Sequence, residues 1–243
     1  LFKEEKMASD QADNKKKSTE KLNRSVERLI SSIDQQPKNA ENYYALGMLL
    51  TDAKQYQQAE ELFKRAINFF TKEHLSLDLL FYGLGNVLYA AGMYPEAQAY
   101  FKQIKQPKLK AAAYLMIAQT YYAQENYQQA LVFGLTVAEQ TGKNQTDACL
   151  IVAESLLALG ELTQAANYFD RVLAVSATNF QANFQRGIIE MVLHRDGERF
   201  FSQAKRINPQ KFVQQQQRLT DIERLLLAKQ AKAERKESDD GNK

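Results

Sequence analysis

A small residue returns along this chain at a nearly constant step of roughly 34 residues, at Gly47, Gly85, Ala118, Ala153 and Gly187. In the first four units an alanine follows in the same relative place, at Ala59, Ala97, Ala130 and Ala165, and four residues beyond it come Phe63, Phe101 and Phe169. The third unit departs, with Gly134 at that place and Phe133 one earlier. A period of this length is the mark of stacked helical pairs, each too small to bury its apolar face without its neighbours.

Helix crossing explains why the recurrent residue is small, because Gly or Ala lets two backbones approach where a larger side chain would hold them apart. Each unit reads as two short helices. In the first unit Tyr43, Leu46, Leu50 and Ala53 share one helical face, and Ala59, Leu62, Phe63 and Ala66 share the next. Lys54, Gln55 and Tyr56 form the turn between them. Gly92 to Pro95, Glu125 with Asn126, and Gly160 with Glu161 serve the later turns, and Pro95 suits a helix start, where a missing N–H costs nothing.

Tyr43, Leu46, Gly47, Leu50, Ala59, Phe63 and Ala66 resemble the pattern of the tetratricopeptide repeat family in spacing and type. Similar runs are Phe81, Leu84, Gly85, Leu88, Ala97, Phe101, then Tyr114, Ala118, Tyr121, Ala130, then Ala153, Leu156, Ala165, Phe169. The fifth unit fits more loosely. Phe201, Ala204 and Pro209 come two residues early for a unit beginning near Phe180, which predicts a shortened turn around His194 to Gly197. The resemblance implies an all-α, right-handed α-solenoid of stacked helix-turn-helix repeats.

Its expected organisation is a polar, disordered segment over 1–18, a repeat domain over 19–209, a capping helix over 210–237 and a disordered tail over 238–243. Units are expected near 40–73, 78–110, 111–144, 146–179 and 180–209, preceded by a half unit at 19–37 that lacks its first helix. Phe212, Leu219, Ile222, Leu225 and Leu226 lie on one stripe after Pro209, which suits the terminal element a repeat stack requires. Lys229 to Lys236 is almost wholly polar and is expected to project as a solvated helix end.

Composition narrows the function classes. The formal net charge of +3 is small for 243 residues, and the basic excess sits in the termini. Nucleic-acid binding calls for a basic stripe, and the repeat region has none. One cysteine, Cys149, excludes an internal disulfide and reads as a buried small hydrophobe. There is no apolar run of about 18 residues for a membrane span, and residues 1–17 are too charged for a signal peptide, so the expected compartment is the cytoplasm. Leu1 in place of Met leaves an alternative start, with Met7 a second candidate, and a fragment boundary both open.

No catalytic constellation is visible. His74 and His194 fall in connections without metal-ligand spacing, the ten glycines form no phosphate loop, and Glu60 with Glu61 reads as solvated charge. The chain is therefore expected to be non-enzymatic, with no cofactor and no metal. The glutamine run Gln214 to Gln217 reads as ordinary helix and needs no special role.

In the resembling family the first helices line a concave surface. Helical geometry places Tyr44, Met48, Tyr82, Asn86, Tyr89, Leu115, Gln119, Tyr122, Leu150, Glu154 and Leu157 on it. That face is apolar and rich in tyrosine, which pairs large contact area with a polar tip. Relatives that grip acidic chaperone tails use lysine, asparagine and arginine there. Here only Asn86 matches, and Tyr82, Ala112, Leu115, Asp147 and Ile151 stand where basic groups should, so carboxylate-clamp binding is not expected. The expected function is a protein–protein scaffold or adaptor that docks a peptide or amphipathic helix of another protein in its groove. The alternative is a regulator of RNA or ribosomal machinery acting through the basic terminal segments. Self-association through the groove or the cap, and occupation of the groove by the C-terminal helix, stay open.

Overall fold

Seven residues after each recurrent small residue the backbone swings into the left-handed region: Lys54 (φ 60°), Gly92 (79°), Glu125 (59°), Gly160 (83°) and His194 (55°). Each of these residues sends its N–H back three residues, as Lys54 does to Thr51 (2.9 Å), and the next residue bonds five back, as Gln55 does to Leu50 (2.8 Å). The pair of bonds recurs at Gly92, Glu125, Gly160 and His194. This is the Schellman ending, which satisfies otherwise orphaned helix carbonyls and turns the chain sharply into the next helix. Glycine adopts it without steric cost, whereas Lys54, Glu125 and His194 carry a Cβ into it.

The computed structural model describes residues 20–140, 142–217, 219–222 and 224. All regular structure among them is helical. The chain divides at Asn126/Tyr127 into two compact bodies. The first holds α1 (20–35), α2 (Ala40–Asp52), α3 (Tyr56–Lys72), α4 (Asp78–Ala90), α5 (Tyr94–Phe101) and α6 (Pro107–Ala123). The second holds α7 (Tyr127–Ala138), α8 (Gln145–Ala158), α9 (Leu162–Val175), α10 (Phe180–Val192), α11 (Glu198–Ile207) and α12, helical over 209–217 and 219–222. The expected polar segment over 1–18, the end of the capping helix and the tail lie outside the described residues, apart from the capping helix up to residue 224.

In the N-terminal body each helix from α2 to α5 packs on its successor, and first helices also pack on first helices, α2 on α4 and α4 on α6. Phe63 of α3 is fully buried. A Cβ built on Gly47 would lie 2.2 Å from its ring, and one built on Gly83 would lie 2.3 Å from it. The ring is therefore held in a slot whose two sides are glycines of α2 and α4. Phe101 repeats the contact against Gly85, at 2.5 Å. Polar ties run between helices: Gln98 of α5 donates to Thr120 Oγ1 (2.9 Å) and Gln124 Oε1 (3.1 Å). The α1–α2 junction is held by Asn42 donating to the Ser32 carbonyl (2.9 Å) and Tyr43 donating to that of Pro37 (3.0 Å).

Asp78, in the first turn of α4, accepts backbone N–H bonds from Lys105 and Gln106, so one carboxylate ties α4 to the strap leading into α6. Burial opposes its ionisation, yet these two bonds, Ser76 and the charge of Lys105 outweigh it and hold its pKa below the ordinary value. A depressed folded-state pKa contributes stability above the unfolded value of about 4, lost as pH falls through the folded one. Asp78→Asn is thus expected to lower the melting temperature at pH 7. Melts of the two proteins should converge near pH 2.5; an equal gap at both pH values would refute the assignment.

In the C-terminal body Gly134 accounts for the third unit's missing phenylalanine. A Cβ there would lie 2.9 Å from Val152 and 3.2 Å from Ile151, so α8 occupies the space a ring would need. Ala165, Phe169 and Val172 of α9 are fully buried, as is Val152 of α8. Cys149 is buried, and burial raises its thiol pKa.

The fifth unit departs from the sequence expectation. Five residues, 193–197, separate α10 from α11, against three, 53–55, between α2 and α3, so the turn is longer, not shorter. What is short is the second helix, 10 residues in α11 against 17 in α3. It begins nearer the crossing, and Phe201 still reaches Gly187, where a Cβ would lie 2.6 Å from the ring. Phe212, Leu219 and Ile222 of α12 pack onto the cluster of Phe180, Phe184, Ile188 and Ala204, which closes this end of the stack.

Candidate protein-binding face

Helical periodicity puts Tyr44 and Met48 on α2 and Tyr82, Asn86 and Tyr89 on α4, and the close α2–α4 packing sets these side chains against one another. The rings of Tyr44 and Tyr82 stack, with centroids 6.2 Å apart and planes 24° from parallel. Tyr82 also meets Phe101 (5.8 Å), and Tyr89 meets Tyr94 at the head of α5 (5.6 Å). Asn86 lies beside the phenols of both Tyr44 and Tyr82, where its amide favours their ionised form and works against the effect of burial. Its Oδ1 is buried without a partner. Burial pushes the phenols of Tyr44, Tyr82 and Tyr89 above their ordinary pKa, so all three stay neutral. These five residues are half-buried, which leaves a fixed aromatic and amide surface with open edges.

On α6 of the same body Gln119 and Tyr122 are half-buried, but Leu115 is only 7 % exposed and belongs to the packing. In the C-terminal body Leu150, Glu154 and Leu157 of α8 are half-buried. Burial raises the pKa of Glu154, against a hydrogen bond from Gln181 of α10 and the charge of Lys211 of α12. The matching places in the fifth unit, three before and one after Gly187, are Phe184 (0 % exposed) and Ile188 (4 %). Phe184 lies edge-on to Phe212 of α12 at 5.8 Å, so the C-terminal helix covers the last unit's share of this face.

Gln181 and Lys211 act on the Glu154 carboxyl, and periodicity in α8 alone does not point to them. The available signal was the fifth unit itself, since Gln181 lies six residues before Gly187. His74 and His194 are exposed, and no cluster of three metal-ligating residues occurs among the described residues. Nor is any described helix long and apolar enough to cross a membrane.

Two family models described as tetratricopeptide repeat match the chain, over residues 38–106 and 82–142. Residues 38–142 are thus tetratricopeptide-repeat sequence. Its fold is shared by YrrB, a TPR protein with an unusual peptide-binding site, at TM-score 0.55 and 20 % identity over 76 % of this chain and 94 % of that one. Pseudomonas aeruginosa pilF aligns at TM-score 0.64 and 17 % identity, covering 79 % of this repeat protein and 86 % of pilF. A chain of the APC/C hetero-tetramer Cut9–Hcn1 aligns at TM-score 0.61 and 12 % identity, over 79 % of this chain and 38 % of that one. At such identities the likeness shows the fold alone. No curated protein sequence matches the chain. Tetratricopeptide repeats build protein–protein interaction scaffolds.

Proposed function

We propose that this repeat protein is a non-enzymatic adaptor that docks a segment of another protein on the first-helix face of its repeats. The observation that carries the reading is the Tyr44–Tyr82–Asn86 cluster. Stacked tyrosines already fixed by packing lose little entropy when a partner covers them, so the apolar area they bury goes into affinity. The buried oxygen of Asn86 has no donor, and a small rotation of the amide would offer it to a main-chain N–H. An extended segment supplies such an N–H at alternate residues, whereas those inside a helix are already used, so the cluster favours an extended peptide. Likeness to YrrB in fold, a protein that has a peptide-binding site, agrees with this.

Selection of random dodecapeptides on the full chain, followed by fluorescence anisotropy, tests the proposal. Tyr44→Ala with Tyr89→Ala is expected to weaken selected peptides by about tenfold or more, with helicity by circular dichroism nearly unchanged. Equal affinity for the double variant would remove the docking face.

A further inference from the structure

The first-helix face does not stop at the tyrosines. Counting back at helical spacing from Asn86 and Tyr82 on α4 reaches Leu79, and from Met48 and Tyr44 on α2 it reaches Glu41. On α6 the same count runs from Tyr122 and Gln119 through Leu115 and Ala112 to Lys108. These three end residues meet: Glu41, Leu79 and Lys108 line one cleft of about 400 Å³, and Ala40 and Leu109 extend its apolar part. All of it lies within the N-terminal body.

Charge around the cleft is one-sided. Lys102, Lys105, Lys108 and Lys110 are exposed, and from Ala97 to Gln124 the chain holds no Asp or Glu to balance them. Asp78 borders the strap that carries them, but its Oδ1 already accepts the N–H groups of Lys105 and Gln106 and its Oδ2 the hydroxyl of Ser76. The ammonium groups of Lys102 and Lys110 lie 5.9 Å and 5.7 Å from the ring centroids of Tyr121 and Tyr114. Lys105 and Lys108 are the two that remain for a ligand.

We propose that the cleft receives a glutamate side chain of the docked segment, with its carboxylate on Lys108 and Lys105. The inference rests on the docking reading above and names part of the ligand's chemistry. Leu79, Leu109 and Ala40 give the glutamate methylenes an apolar bed, which the shorter aspartate fills less well. About one helical turn, roughly 5 Å, separates Leu79 from Tyr82, so an extended segment carries the glutamate about two to four residues from the residue over the tyrosines. Glu41, on the α2 side of the cleft, turns the carboxylate toward α6. It also disfavours nucleic acid, since successive phosphates would meet Glu41 as well as the lysines. A clamp for a chain-terminal carboxylate is a different arrangement, with basic groups at Tyr82, Ala112 and Leu115, where this chain has none.

Dodecapeptides selected on the full chain give the test. Glutamate is expected to be enriched over lysine and arginine, and its replacement by glutamine should weaken binding about three- to fivefold. Lys108→Gln should cost a similar factor and abolish the glutamate–glutamine difference, the mark of direct coupling in a double-mutant cycle. Added salt should weaken the parent complex more than that of Lys108→Gln. Glu41→Gln removes a like charge and should tighten glutamate peptides about twofold. Both side chains are exposed, so the variants keep the fold, which a melt checks.

Enrichment of lysine or arginine, with binding weakened by Glu41→Gln, would overturn the assignment in favour of a cation site. Tighter binding of a thymidine dodecamer than of any selected peptide, lost in Lys108→Gln, would overturn it in favour of nucleic acid. Peptides that depend on Tyr44 and Tyr89 yet ignore Lys108→Gln would also overturn it, with the docking face intact. If binding ignores both sets of residues, the docking reading fails first and this one with it.

Discussion

Phe63→Ala is expected to destabilise the N-terminal body by about 3–5 kcal/mol, the cost of deleting a fully buried aromatic ring. Collapse of the surroundings offsets part of such a loss where neighbouring side chains can move in. Here two walls of the slot are the backbones of α2 and α4 at Gly47 and Gly83, which carry no side chain to advance. Closing the void would need the two first helices to shift together, which the stacked tyrosines and the other α2–α4 contacts resist. The loss should therefore fall near the top of the range. Thermal melting followed by circular dichroism measures it, and a shift within error of zero would show that the ring is not what spaces these helices.

Gly197→Ala is expected to cost the C-terminal body up to about 3 kcal/mol, the upper part of the usual range for overpacking. The conformation is not the obstacle, since φ at Gly197 is −96°, accessible to any residue. The obstacle is the carbonyl oxygen of Gly187, which would lie 2.6 Å from the added methyl. A backbone oxygen cannot rotate away as a side-chain tip can. A Cβ on Gly187 would in turn lie 2.6 Å from the Phe201 ring of α11, so α10 and α11 are already in close contact here. A melt of Gly197→Ala matching the parent protein would mean that the start of α11 stands further from α10 than described.

Much of the fold was legible in the sequence because its cause is local and repeated. A small residue at a crossing, an alanine early in the following helix and a phenylalanine one turn beyond it must recur wherever the same helix pair recurs. Gly134 shows the limit. It reads as a lapse in the pattern, and only contact with Val152 and Ile151 shows that the space was needed for α8. The fifth unit shows another, since the early Phe201 is equally consistent with a short turn and with a short helix.

The candidate face was legible to the same degree. Periodicity identifies which residues share a side of a helix, and Tyr44, Tyr82, Asn86 and Tyr89 are half-buried neighbours across α2 and α4. It does not reveal what covers that side. Leu115 looked equivalent to Tyr44 and Tyr82 by position, yet it is buried. The unpartnered oxygen of Asn86 carried no signal, because an orphaned oxygen is a property of its surroundings and not of its residue type.

By itself the sequence determined the repeating helical pair and the turn between its helices, for both follow from interactions a few residues apart. Five Schellman endings fall at one offset from the small residue whether that offset holds Gly, Lys, Glu or His. The tertiary structure alone decided where the face is open and where it is closed. Docking of α12 buries Phe184 and Ile188 and brings Lys211 toward Glu154, two residues separated in the chain by all of α9, α10 and α11. Such contacts depend on how complete helices settle against one another, and that geometry is set by the sum of many packed side chains, which no local pattern records.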